Sequence, residues 1–385
     1  MSQDRHTFYE FFAGGGMVRA GLGDGWDCLF ANDFDHKKVS TYAKNWGDSE
    51  LHHGDVRKVT TSDLPEFAEF IWASFPCQDL SLAGGGAGLR GERSGTFWPF
   101  WDLIRDLIKD SRKPPMVVLE NVCGTLTSHG GSDFAAICGA LDEAGYRFGA
   151  AVIDAAYFVP QSRPRLFIIG VSDKVKLPDG LISDAPIKEW HTRTLIGAYN
   201  KLNEIIQRNW LWWNIPAPVD RKSKFAHLIE ENPDSTRWRS PEETQQLLNM
   251  MSDVNLEKVR VAQKLKKKAV GAMYKRTRCD ENGRKVQRAE IRFDDIAGCL
   301  RTPAGGSSRQ LIVVVEGDTI RSRLISTRET ARLMGLADNY ELPQNYNEAY
   351  HLTGDGVVVP VVRHLADSIF EPVLRHNRKA ERNAA

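Results

Sequence analysis

The 385-residue chain has no long apolar run. Nothing in it approaches the ~18 consecutive apolar residues that a membrane-spanning helix requires. Cysteine is scarce too. Cys28, Cys77, Cys123, Cys138, Cys279 and Cys299 are scattered, never as C-x-x-C and never at zinc-ligand spacing with histidine. That argues against a disulfide scaffold and a structural zinc site, so no metal is expected. Residues 1–10 are polar and lack the apolar core of a secretory leader, which points to a reduced, cytoplasmic setting. The formal net charge is only +1, so the chain is not a general polybasic binder, and any nucleic-acid surface must come from local clustering. Internal repeats and long low-complexity segments are absent as well.

What is present reads as two domains, since 385 residues exceed one comfortable core. β-prone runs at 7–12, 27–32, 70–75, 116–119 and 165–171 alternate with helix-like spacing at 35–46, 98–109 and 132–144. Such alternation predicts an α/β fold with a mostly parallel, doubly wound sheet. After Val171 the alternation stops, and tryptophan and charge become more frequent. Residues 258–292 hold thirteen Lys or Arg against Asp280, Glu281 and Glu290, a local basic cluster. For 264–268 alone a solvated helix face is the simpler reading. Trp190, Trp210, Trp212, Trp213 and Trp238 read as core.

Phe12-Ala13-Gly14-Gly15-Gly16 joins the first strand to a helix, where glycine lets backbone approach a ligand and the helix offers free N–H groups. A dinucleotide fingerprint is incomplete, because its third glycine position holds Arg19. Asp33 ends the second strand candidate, where a carboxylate can hold ribose hydroxyls. Phe34 beside it offers an aromatic face, and Asp55-Val56 ends a third strand candidate. Each is explicable alone as a turn or an ordinary loop acid; the ordered set favours an adenosine ligand.

Pro76-Cys77-Gln78 follows another apolar strand, at the sheet edge where open α/β folds bind ligands. Glycines at 84, 85, 86, 88 and 91 follow, as in a loop over a site. Glu120 ends the run 116–119, either as a proton donor beside a thiol or as an ion-pair partner. Arg163 and Arg165, at i and i+2, are expected on one strand face, able to hold Glu120 and a base carbonyl.

In order along the chain, Phe12-Ala13-Gly14-x-Gly16, Pro76-Cys77-Gln78, Glu120-Asn121-Val122, Gln161-x-Arg163-x-Arg165, Arg328-Glu329-x-Ala331-Arg332-Leu333-x-Gly335 and Gly354-Asp355-Gly356-Val357 resemble the motifs of the cytosine-C5 DNA methyltransferases. The family usually has Gly-Asn where this chain has Gly354-Asp355, and a carboxylate cannot donate as an amide does. The resemblance implies a Rossmann-like S-adenosylmethionine-dependent methyltransferase domain at 1–178, a smaller target-recognition domain at 179–344, and a return segment at 345–385. It implies that Cys77 is the nucleophile, with Glu120, Arg163 and Arg165 completing the catalytic set. S-adenosyl-L-methionine would be held by Phe12, Ala13, Gly14, Gly16, Asp33, Phe34, Asp55, Val56, Pro76, Asp355 and Val357. Double-stranded DNA would meet Ser81, Gly84, Arg90, Arg301, Ser308 and Arg309, with the basic stretch on phosphates.

A monomer in the cytoplasm of a bacterial or phage-infected cell is expected, with a cognate restriction endonuclease as a candidate partner. Two alternatives remain open. One is a tRNA cytosine-C5 methyltransferase, whose subgroup carries Pro-Pro-Cys where this chain has Phe75-Pro76-Cys77; the other is a non-catalytic DNA-binding protein that keeps the fold. Methylation of exocyclic amino groups is excluded, because the only Pro-Pro, Pro114-Pro115, lacks the Asp/Asn before it and the aromatic after it.

Overall fold

The computed structural model describes residues 5–76, 94–280, 282–302 and 309–384. Packing divides the chain into two units. Unit 1 comprises Met1–Asp154, Pro164–Pro218 and Val359–Ala385, and unit 2 comprises Ala155–Arg163 and Val219–Val358. The long exchanges fall at 218/219 and 358/359, where the resemblance implies 178/179 and 344/345. Residues 179–218 pack in unit 1 for a physical reason. Trp190 and Trp213 are buried there, and the backbone of Leu211 bonds to Phe148 while Phe148 bonds back to Asn209.

Unit 1 is built on β1 (His6–Phe11), β2 (Trp26–Asp33), β3 (Leu51–His53), β4 (Phe70–Ala73), β5 (Met116–Val122), β6 (Tyr146–Asp154) and β7 (Pro164–Ser172). Their order in the sheet is β3-β2-β1-β4-β5-β7-β6. The first five strands pair in parallel; β7 runs antiparallel to both β5 and β6. The sheet is thus mostly parallel, as expected, but closes on an antiparallel pair. β4 is buried along its whole length, as a strand covered on both faces must be. Chain order reverses between β1 and β4, so the crevice at their carboxyl ends is the natural ligand position.

α1 (Met17–Leu22), α2 (His36–Trp46), α3 (Phe97–Lys109) and α4 (Ser132–Glu143) connect these strands. α3 buries Phe97, Phe100, Trp101, Ile104 and Leu107, the i, i+3, i+4 stripe of an amphipathic helix. α2 starts at Asp35, whose carboxylate accepts from the amides of Lys37 and Lys38. The spacing of β6 is unreadable in the sequence because Gly149-Ala150-Ala151 interrupts it. A Cβ on Gly149 would lie 1.8 Å from the Leu211 carbonyl oxygen, so close backbone approach demands glycine there. β8 (Ile182–Ser183) and β9 (Trp212–Trp213) form a short antiparallel pair.

Unit 2 holds an antiparallel sheet of β10 (Ala269–Cys279), β11 (Lys285–Arg292), β12 (Leu311–Glu316) and β13 (Thr319–Leu324), ordered β11-β10-β12-β13. Its core joins Leu247, Val259, Met273, Ile291, Leu311 and Val313. Arg323 and Glu329 form a fully buried two-pronged pair, at 2.6 and 2.8 Å. Among the described residues, no helix is long and apolar enough to cross a membrane.

Candidate active site

The loop after β1 is held in a shape that side chains resist. Phe12 has φ 57°, Gly14 58° and Gly16 77°. The Ala13 amide bonds to the Asn32 carbonyl at 2.9 Å, tying the loop to the end of β2. The Gly14 amide donates to Asp33 Oδ2 at 2.8 Å, and the Asp35 amide donates to Oδ1 at 2.8 Å. Asp33 is thereby fixed next to the glycine turn, and burial pushes its carboxyl above the ordinary range. Each of its oxygens keeps a second lone pair for a vicinal diol. Phe34 follows, 69 % exposed, an aromatic residue available for stacking on a purine.

Asn32 bonds from Nδ2 to the carbonyls of His52 and Gly54, at 3.0 and 2.9 Å, and so places Asp55 and Val56. Asp55 is gripped by Arg57 through Nε at 2.9–3.0 Å and Nη2 at 2.5 Å. That guanidinium holds the Asp55 carboxyl below its usual range. Open space adjoins Gly14, where an added Cβ would meet nothing within 4 Å. The residues present therefore fit a nucleoside: a diol acceptor, an aromatic face and an open glycine turn, all at the carboxyl ends of β1 and β2.

Gly16 is tightly enclosed instead. A Cβ there would lie 2.3 Å from Trp46 Nε1 and 2.9 Å from Tyr42 Cε2, and Trp46 Nε1 donates to the Gly15 carbonyl at 3.1 Å. Gly16→Ala should therefore destabilise unit 1 by about 2 kcal/mol through left-handed strain and overpacking. Thermal melts would register this as a fall in Tm of several degrees, and an unchanged Tm would contradict it.

At the end of β5, Glu120 is 7 % exposed and its Oε1 lies 3.3 Å from Arg165 Nε. Asn121, next in the strand, donates from Nδ2 to the Phe75 carbonyl at 3.2 Å. Its Oδ1 accepts from the Val122 amide at 2.8 Å and from Thr125 at 3.2 Å. Asn121 thus fixes the backbone two residues before Cys77. The motif was visible in the sequence; this long-range bond was not. Cys77, Ser81, Gly84, Arg90 and Ser308 lie outside the described residues. Of the other cysteines, Cys123 is held as a thiol because burial raises it despite the nearby Arg165. Burial pushes Cys28 up to about 12 and Cys138 well up. A neutral thiol is a poor nucleophile.

Arg163 does not join Arg165 on one strand face. β7 begins at Pro164, and the Arg163 guanidinium bonds inside unit 2 to the carbonyls of Leu300, Gly354 and Gly356. Asp355, Val357, Arg301 and Arg309 also belong to unit 2. Asp355 accepts a bond from the Thr302 hydroxyl, a role open to a carboxylate, and Arg309 bonds to Asn347 Oδ1 at 2.5 Å. Val357 is buried. One buried group escaped the sequence reading: Glu10 on β1, fully enclosed, with its carboxyl raised to about 8 by burial.

A seven-stranded sheet of this order, with a nucleoside-shaped turn and a carboxylate–guanidinium pair at its edge, defines an α/β methyltransferase. Solved structures agree on the fold: the S. pombe Dnmt2 methyltransferase matches at TM-score 0.57 and 16 % identity, over 96 % of this chain and 99 % of that one. The Entamoeba histolytica methyltransferase EhMeth matches at TM-score 0.62 and 15 % identity, over the same shares. A sequence model of the C-5 cytosine-specific DNA methylases matches residues 6–371, and the chain belongs to that family. It is similar to the Type II methyltransferase M.BsuFI of Bacillus subtilis, with 26 % identity over 96 % of this chain and 73 % of the relative. The Type II methyltransferase M.HpaII of Haemophilus parainfluenzae is 25 % identical, over 96 % and 90 %. The chain is thus an enzyme, a DNA cytosine-5 methyltransferase.

Proposed function

We propose that this enzyme moves a methyl group from S-adenosyl-L-methionine to C5 of a cytosine swung out of a specific sequence in duplex DNA, by way of a covalent bond from Cys77 to C6. The observation that carries the reading is the largely enclosed Glu120–Arg165 pair, one residue from Asn121, which holds the chain leading to Cys77. Cytosine C5 is a poor nucleophile while the ring is aromatic. Addition of the Cys77 thiolate at C6 breaks the aromaticity and makes C5 enamine-like. Glu120 bonds to N3 and offsets charge on the ring; Arg165 holds O2 and keeps Glu120 aimed. C5 would then take the donor's methyl as its sulfur leaves as a neutral thioether, after which a base takes the C5 proton and the Cys77 thiolate leaves.

Asp33, Phe34 and the 12–16 turn would hold the donor's nucleoside part, with Asp55, Val56 and Pro76 nearby in unit 1. When bound, the donor supplies the methyl as an electrophile on a sulfonium. Extrusion of the base costs roughly a few kcal/mol, which phosphate contacts would offset.

The DNA side is supported by unit 2. β12 pairs with β10 only over Ala269–Met273, so residues 274–279 and 285–290 run on as a two-stranded ribbon. Arg276, Arg278 and Lys285 on it and Arg284 in its turn are exposed, and a ribbon of that width fits the major groove. Similarity to Type II relatives supports a cytoplasmic, bacterial-type role in modification of DNA beside a restriction endonuclease.

The test is a set of duplexes in which cytosine is replaced by 5-fluorocytosine, mixed with protein and S-adenosyl-L-methionine. Fluorine cannot leave as a proton does, so a denaturation-resistant protein–DNA adduct should form, and Cys77→Ser should abolish it. An adduct that survives Cys77→Ser would overturn the assignment.

A further inference from the structure

Residues 160–163 act as a strap across unit 2. The Ser162 amide bonds to the Ala297 carbonyl at 2.9 Å, and the Ala297 amide returns to Pro160 at 2.8 Å. Gln161, fully buried, accepts from the Leu300 amide at 3.1 Å and donates to the Leu333 carbonyl at 2.8 Å. Arg163 completes the strap. At 1 % exposure, it reaches Leu300 O at 3.0 Å through Nη1, and Gly354 O and Gly356 O at 2.7 Å each through Nη2. Two chain segments far apart in sequence are thus held by one planar fork. Thr302 adds an exposed bond between the same two segments through Asp355. Their packing is close: a Cβ on Gly354 would lie 3.3 Å from the Arg301 carbonyl carbon.

We propose that Arg163 is a positioning residue for DNA engagement, and that it does not touch the base. Its guanidinium locks residues 299–302 against the 354–356 turn, so that Arg301 and Thr302 meet DNA already in shape. Five donors in a rigid plane can satisfy three carbonyls at once, whereas a lysine ammonium is a point donor on a flexible stem. Ordering that segment before binding removes an entropic penalty from association. The defect on losing the fork therefore falls on binding and leaves chemistry largely intact. This inference rests on the proposed role of Arg301 in contacting DNA.

The experiment compares Arg163→Lys, Thr302→Val, Arg301→Ala and Arg165→Lys with the wild type. Unmethylated plasmid DNA is the substrate, and transfer of radiolabelled methyl from S-adenosyl-L-methionine is followed. Arg163→Lys should raise KM for DNA about tenfold while the single-turnover rate at saturating DNA stays within about threefold. Thr302→Val, an exposed change that spares the core, should raise KM about threefold. Arg165→Lys should do the reverse, lowering the saturated rate with KM nearly unchanged. Arg163→Lys and Arg165→Lys behaving alike, or neither Arg163→Lys nor Thr302→Val moving KM, would overturn the proposal. If Arg301→Ala leaves KM unchanged, the DNA-contact reading fails and this inference falls with it. Loss of DNA affinity in Arg301→Ala without any shift in Arg163→Lys sinks the inference alone.

Discussion

Arg165→Ala is expected to lower the single-turnover rate of methyl transfer by 10²–10³-fold, roughly 3–4 kcal/mol of transition-state stabilisation. Arg165 and Glu120 have side chains only 17 % and 9 % exposed. Removing the guanidinium leaves a nearly enclosed carboxylate without its charge partner, which is far costlier than losing a surface pair. It also removes the donor assigned to the base carbonyl. Arg165→Lys keeps the charge but loses the planar fork, so an intermediate loss is expected, on the order of 10-fold to 10²-fold. Glu120→Gln should fall by about 10²–10⁴, the usual range for a positioned acid. The pair acts as one device, so the double variant should be no slower than the worse single one. Additive losses in that cycle, or a deficit under tenfold for Arg165→Ala, would mean the pair is structural.

The turn after β1 was legible in local sequence. Gly14, Asp33 and Phe34 sit at a strand–turn–helix junction whose hydrogen bonds span 19 residues or fewer, and that junction has a recognisable shape in residue types. The buried carboxylate of Glu120 was legible for the same reason, as the acid that ends an apolar run. What was not legible depends on distant packing. Asn121 reaches Phe75 across 46 positions. Arg163 reaches Leu300 and Gly354 across 137 and 191. The i, i+2 rule failed for Arg163 because it presumes both residues lie in the strand, and Pro164 opens β7 one residue too late. β6 was hidden because Gly149 answers to Leu211, a contact that no window of neighbouring residues can anticipate.

The same kind of tertiary burial makes Glu10 the residue with the largest expected effect on stability. It lies on β1, an interior strand of the sheet, fully enclosed. Its carboxyl faces the amides of Val18 and Arg19 without a well-formed hydrogen bond to either. Burial raises it from an ordinary 4.5 to about 8; Arg19 pulls the other way and Asp33 adds to the rise. The unfolded chain releases this proton near the ordinary value, whereas the folded chain keeps it until about pH 8. Between those limits the folded state binds more protons, so stability falls as pH rises and levels off above the folded value. The full span corresponds to about 5 kcal/mol at 1.36 kcal/mol per unit, an upper figure for a site that relaxes on ionising. Glu10→Gln has nearly the shape of the protonated acid and cannot ionise. Urea denaturation of both proteins from pH 5 to 9 should show the variant gaining on the wild type up to about pH 8 and holding that gain beyond it. Other titrating groups are common to both and cancel in the difference. Two curves that stay parallel across that range would mean Glu10 ionises freely in the fold, and that β1 tolerates a charge beside the glycine turn.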